Sequence, residues 1–180
     1  MCGIYLDHQS CCPVDPRVEE FARRYSSIDF GNPSALHSRG LAAKAALEEA
    51  RARVAELIGA ESPESIIFTG GATQANNLAI RGAALRNAAK GKRLLASQIE
   101  HISVLNPHKD LKKGGFELNW IPVDSNGQID LSSLERLADK ETVLTSIMYA
   151  NGEIGTVQPI REASEIVHDK GQLLHVDGTA

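Results

Sequence analysis

The sequence predicts an α/β fold: a largely parallel sheet sandwiched by helices. Three observations carry that prediction. Short runs of aliphatic, β-branched and aromatic residues recur at 66–68, 93–97, 116–123, 143–148 and 173–177, lengths that suit strands. Between them, apolar residues return every three or four positions, the spacing of one helix face. Polar residues with chemical capability fall at the ends of strand runs: residues 70–73, Glu100-His101, Asn151-Gly152 and Asp177. Alternating β and α segments demand parallel strands joined by helical crossovers. In such sheets ligands sit outside the carboxyl ends of the strands, so one crevice can collect all four features.

The elements follow in order. Ile4-Tyr5-Leu6 is a short apolar run ending at Asp7, and Pro13 and Pro16 break the next stretch into loop. Pro16 opens a helix through Tyr25, since a first helical position needs no N–H donor. Gly31-Asn32-Pro33-Ser34 is turn chemistry. A helix over 41–58 carries Leu47, Ala50, Val54 and Leu57 on one stripe and stops at Gly59. After the strand at 66–68, Thr69-Gly70-Gly71 turns into a helix over 72–86, with Ala75, Leu78, Ala79 and Ala83 at helical spacing. The strand at 93–97 leads to a helix over 102–113 that is interrupted in pattern by Pro107 and stopped by Gly114-Gly115. The strand at 116–123, the turn Asn126-Gly127, a short helix at 131–138, the strand at 143–148, a helix at 160–170 and the strand at 173–177 complete the chain.

Size and composition bound the function. At 180 residues the chain is one domain in size, and 42% hydrophobic residues suffice for a packed core. A charged fraction of 23% and a net charge of −4 argue against a nucleic-acid surface or a disordered tail. No apolar run approaches the ~20 residues of a membrane span. The N-terminus lacks the basic segment and apolar core of a secretory signal. Cys2, Cys11 and Cys12 match no zinc-ligand spacing, and an odd cluster of thiols suits a reducing cytoplasm.

Three positions carry the chemistry. Gly70-Gly71 lets the backbone turn tightly, and the helix start behind it offers unpaired N–H groups and a positive dipole end. With the Thr73 hydroxyl added, Gly71, Ala72 and Thr73 can hold a phosphate. By itself, Gly-Gly-Ala-Thr also reads as an ordinary turn with a threonine cap. Asp177 stands at the mouth of a buried run. It either pairs with a cation or caps a helix, or it faces a pyridine nitrogen and keeps it protonated, which makes the ring an electron sink. His101 either lies over such a ring and moves protons or caps the helix that follows it.

The sequence resembles the cysteine desulfurase branch of the class V aminotransferases, which use pyridoxal phosphate. The matching stretches are residues 5–7 and 13–18, Gly31-Asn32-Pro33-Ser34-Ala35-Leu36-His37-Ser38, residues 68–80, Glu100-His101-Ile102-Ser103-Val104-Leu105, residues 151–155 and His175-Val176-Asp177. They occur in order and at family spacing over nearly the whole chain. The resemblance implies part of the large domain of a fold-type-I pyridoxal-phosphate enzyme, residues 1–180 being its N-terminal portion. The small domain and the Schiff-base lysine segment of the family lie beyond it. It also implies that Ala72 and Thr73 hold the cofactor phosphate, that His101 stacks on the ring and shuttles protons, and that Asp177 pairs with the ring nitrogen. The family consists of homodimeric transferases that take sulfur from L-cysteine, release alanine, and pass an enzyme-bound persulfide to scaffold proteins of iron–sulfur cluster assembly and other thiolation pathways.

Several positions depart from the family pattern. The usual Asn-Asn-Glu-Ile-Gly reads Asn151-Gly152-Glu153-Ile154-Gly155, so the residue that reaches the ring hydroxyl has no side chain. Ala180 stands where the family often has Gln, and Cys11-Cys12 occupy its Thr-Thr positions. The eight lysines all sit in predicted helices, turns or helix ends, none at the place of the Schiff-base lysine. The expectation is therefore a desulfurase-like enzyme portion that is inactive alone. The alternatives are a related class V aminotransferase or lyase acting on another amino acid, and a non-catalytic binding or dimerisation module.

Overall fold

A computed structural model of the protein describes residues 3–8 and 10–180, so Cys2 lies outside the described residues. The chain divides into two compact units, the first ending at Phe68 and the second spanning Thr69–Ala180.

The first unit is helical. Helix α1, Pro16–Ser27, starts at the predicted proline, and the Asp15 carboxylate caps it by accepting the Arg17 N–H at 2.9 Å. It buries none of its residues. Helix α2, Ser38–Ile58, begins earlier than the apolar stripe suggested because the His37 ring nitrogen accepts the Gly40 N–H at 3.3 Å. It ends as expected at Gly59, in the left-handed conformation with φ 66°. A single 3₁₀ turn, Pro63–Ser65, follows.

The predicted strand at 66–68 does not form. Ile66 has extended backbone, but no ladder partner accompanies it. Ile67 and Phe68 are largely exposed, and the Arg51 guanidinium lies 5.3 Å from the Phe68 ring centre. β-propensity supplies an extended backbone; only a neighbouring strand turns it into sheet.

The second unit is the predicted α/β sandwich. It contains α3 (Ala72–Arg86), β1 (Arg93–Ser97), α4 (Ile102–Lys113), β2 (Glu117–Ile121), α5 (Leu131–Leu137), β3 (Thr142–Met148), α6 (Ile160–Asp169) and β4 (Leu173–Asp177). The four strands are parallel in the order β2-β1-β3-β4. Successive residues of β1 serve opposite faces: Leu94 and Ala96 pack with Ile80 and Val104 of α3 and α4, whereas Leu95 packs with Leu134 and Val167 of α5 and α6. Strand β3 is buried along its whole length, as a central parallel strand must be.

Two elements differ in extent from their sequence patterns. β2 stops at Ile121, before Pro122, and Val123 instead bridges antiparallel to Ile129 around the Asn126-Gly127 turn. α4 continues straight through Pro107, which is buried within it. Among the described residues no helix is long and apolar enough to cross a membrane.

Candidate functional site

The strand order reverses between β1 and β3, since β2 lies to one side of β1 while β3 and β4 lie to the other. A crevice opens at such a switch point, beyond the carboxyl ends of the strands. Three of the four predicted polar features lie there: Glu100-His101 after β1, Asn151-Gly152 after β3, and Asp177 as the last residue of β4. Glu100 ties β1 to β3. Its Oε1 accepts the Ser97 hydroxyl at 2.5 Å and the Met148 N–H at 2.7 Å, while its Oε2 is buried without a partner. Burial raises the Glu100 pKa, the Ser97 and Met148 donors oppose that, and the nearby Asp177 charge adds to it.

Asp177 is 8% exposed and held on both oxygens. Oδ1 accepts the Thr179 N–H at 3.1 Å and the Thr179 hydroxyl at 2.5 Å, and Oδ2 accepts the Asn76 amide at 3.0 Å. Burial opposes its charge, but the donors from Thr179 and Asn76 outweigh it and hold the pKa below the usual carboxylate range. These donors favour the ionised form of Asp177. No Lys or Arg among the described residues hydrogen-bonds to it.

Asn76 is the link that sequence reasoning missed. It projects from α3, is 5% exposed, and uses both amide hydrogens, one on Asp177 and one on the Ser103 hydroxyl at 2.9 Å. Ser103 lies 2.7 Å from His101 Nδ1. The two readings of His101 thus prove compatible. It caps α4, accepting the Ser103 N–H at 3.2 Å through Nδ1, and that leaves Nε2 and the exposed ring face available. The signal that could have found Asn76 is its own polarity on the buried side of a helix whose other inward residues are Ile80 and Ala84.

The start of α3 is an uncapped helix N-terminus. Gly71 is its N-cap with φ 151°, no side chain caps it, and a Cβ at Gly71 would meet open space. Ala72 and Thr73 occupy the first two helical positions, where N–H groups have no partner within the helix. Thr69 donates its hydroxyl to the Gly71 carbonyl at 3.1 Å, and Gln74 accepts the Gly70 N–H at 2.7 Å, which shapes the turn. Asn76 stands about one turn further along α3, so the residue that holds the Asp177 carboxylate belongs to the helix that opens at Gly71.

Asn151 and Gly152 are not joined to this network. Asn151 Oδ1 accepts the Glu153 and Ile154 N–H groups at 2.9 and 3.2 Å, and its amide donates to the Ile99 carbonyl at 3.3 Å. Its side chain thereby shapes the loop after β3. Cys11 and Cys12 are exposed in the first unit.

An open helix N-terminus, a buried carboxylate held from the same helix through Asn76 and a histidine following β1 are groups whose chemistry suits pyridoxal phosphate. This combination of a parallel α/β sheet and an anion-ready turn defines the class of protein. The chain belongs to the aminotransferase class-V family, whose model matches residues 4–180. It is 51% identical to cysteine desulfurase IscS 1 of Archaeoglobus fulgidus, over 98% of this chain and 46% of that protein. It is 43% identical to cysteine desulfurase IscS of Dictyoglomus turgidum, over 97% of this chain and 44% of that protein. Among solved structures, a NifS-like protein superposes with a TM-score of 0.93 at 37% identity, covering 97% of this chain and 48% of the other. SspA in complex with cysteine superposes with a TM-score of 0.90 at 34% identity, covering 97% and 50%. The chain spans about half the length of the relatives it matches.

Proposed function

We propose that this chain is the N-terminal portion of the cofactor-binding large domain of a pyridoxal-phosphate-dependent cysteine desulfurase. The observation that carries the proposal is the Asp177 carboxylate, kept ionised at the end of β4 and tied through Asn76 to the helix that bears the phosphate cradle. The identity to proteins named cysteine desulfurase supports the choice of reaction.

In this reading Gly71 leaves the cradle open, and the N–H groups of Ala72 and Thr73 with the Thr73 hydroxyl hold the cofactor phosphate. Asp177 holds the ring nitrogen and its proton through a charge-assisted hydrogen bond. The cofactor, when bound, supplies an electron sink for bond cleavage at the amino acid. His101 presents Nε2 for proton movement while Nδ1 stays anchored at the start of α4. Asn151 shapes the edge of the site through its loop, and Gly152 leaves room there without adding a donor. L-cysteine is the substrate, a second copy completes a homodimer, and a scaffold protein in the cytoplasm accepts the sulfur.

The test is incubation of the full-length protein with pyridoxal phosphate and L-cysteine. The expected result is a cofactor absorbance band and equal amounts of alanine and released sulfur under reducing conditions. Cofactor binding with turnover of another amino acid instead would favour the related aminotransferase or lyase. Absence of binding would favour the non-catalytic module, the reading to which Gly152 and Ala180 lend support.

A further inference from the structure

Behind Asp177 and Asn76 runs a chain of polar groups, half-buried at His175 and fully buried beyond it, that the proposed function does not use. Asn76 Oδ1 lies 3.1 Å from His175 Nε2, His175 Nδ1 lies 3.2 Å from the Ser146 hydroxyl, and that hydroxyl lies 3.2 Å from His108 Nε2. His108 Nδ1 ends the chain 2.8 Å from the Val104 carbonyl. Ser146 and His108 are fully buried, and Asn76 nearly so.

A carbonyl can only accept, so His108 Nδ1 carries a hydrogen. Asn76 directs both amide hydrogens to Ser103 and Asp177, so its Oδ1 can only accept, and His175 Nε2 also carries a hydrogen. Turning the amide over would set its oxygen against the ionised Asp177 carboxylate. Ser146 has one hydroxyl hydrogen and stands between the two inner ring nitrogens. It donates to one of them and accepts from the other, which must then carry a third hydrogen. Two neutral imidazoles hold only two.

We propose that His175 and His108 share one proton beyond their neutral complement, bridged by Ser146, and that this buried positive charge balances Asp177 through Asn76. The extra proton is drawn from solvent, and no bond to carbon is made or broken. The titratable group facing the pair is Asp177 on β4, whose charge acts on His175, while α3 contributes only the neutral Asn76. Burial works against the proton, lowering both histidines and drawing His175 to about 4, with the Asp177 charge raising it. Against that stands the alternative of two acceptors pressed together at the fully buried Ser146 hydroxyl, an uncompensated contact of the kind native interiors avoid.

On the proposed function, the device sets how strongly Asp177 attracts a ring nitrogen from its outer side. The histidine count does not depend on that function. The experiment is nitrogen NMR of the full-length protein labelled at histidine, recorded at pH 7 before and after pyridoxal phosphate is added. His108→Gln and His175→Gln identify the signals. The expected result without cofactor is three protonated ring nitrogens across the two residues, either on one ring or averaged over both. Ser146→Ala is expected to lose the third proton and leave two neutral rings. Two neutral rings in the unmodified protein at pH 7 would overturn the proposal whatever the variants do, as would a third proton that survives Ser146→Ala in a folded protein. A failure of the cofactor reading would appear separately, as no spectral response to pyridoxal phosphate with the ring signals unchanged.

Discussion

Asn76 and Asp177, 101 positions apart in the chain, meet side chain to side chain at 3.0 Å. The contact joins the helix that opens with the proposed phosphate cradle to the strand that ends in the carboxylate. One hydrogen bond therefore sets the spacing between the two ends of the proposed cofactor site.

Asp177→Ala removes the proposed partner of the ring nitrogen and strands an Asn76 hydrogen in a buried place. Catalysis by the full-length protein is expected to fall by several orders of magnitude, and the fold to lose about 1–3 kcal/mol, the cost of an unsatisfied buried donor. Asp177→Glu is expected to recover only part of the activity, because a longer side chain cannot keep the same geometry in a packed crevice. Single-turnover cysteine consumption, with cofactor loading confirmed by absorbance, measures the first effect, and denaturant unfolding the second. Near-normal turnover by Asp177→Ala would make the residue a structural acid.

Thr73→Val keeps the helix start and deletes one hydroxyl. A hydrogen bond to a charged partner contributes about 1.5–3 kcal/mol, so affinity for pyridoxal phosphate or inorganic phosphate is expected to fall roughly tenfold or more. Titration calorimetry measures it, and equal binding by the variant would place the cradle elsewhere.

Glu100 has its pKa raised from the ordinary 4.5, chiefly by burial. For a group of that sign, the stability it contributes is complete below the unfolded value and is lost as pH rises through the raised folded value. Glu100→Gln keeps an acceptor toward Ser97 and Met148 and cannot ionise. It is expected to flatten the decline in thermal stability above about pH 4.5, read by melting curves of both proteins across pH. Parallel curves would show that Glu100 ionises in the fold without cost.

The 180-residue chain by itself exposes Ile4, Leu6 and Leu36 almost completely, and β4 is an edge strand carrying half-exposed Leu173 and Val176. Apolar surface and an unpaired strand edge both favour association. The isolated chain is expected to self-associate at micromolar concentration, seen by light scattering. A sharp, reversible, monomeric thermal transition would contradict this.

Local pattern carried most of the second unit. The runs 93–97, 143–148 and 173–177 become β1, β3 and β4 within a residue, because buried parallel strands announce themselves as unbroken apolar runs. Pro16, Gly59 and Gly114 mark helix limits through their own backbone chemistry, which needs no distant partner. The same local logic placed Gly71, Ala72 and Thr73 at a helix start and Asp177 at a strand end.

By itself, the sequence determined the α/β class, the family, and which positions hold residues able to bind phosphate or carry charge, since propensity and motif are properties of neighbouring residues. Tertiary structure alone decided the rest. Residues 66–68 have the composition of a strand yet join no sheet, because a strand exists only through its neighbour. Asn76, Ser146 and His108 become parts of the Asp177 site only when α3, β3 and α4 close around β4. Hydrogen bonds between residues up to 101 positions apart leave no periodic trace in the chain. They are set by which helix lies over which strand, and that follows from burying the two faces of the sheet.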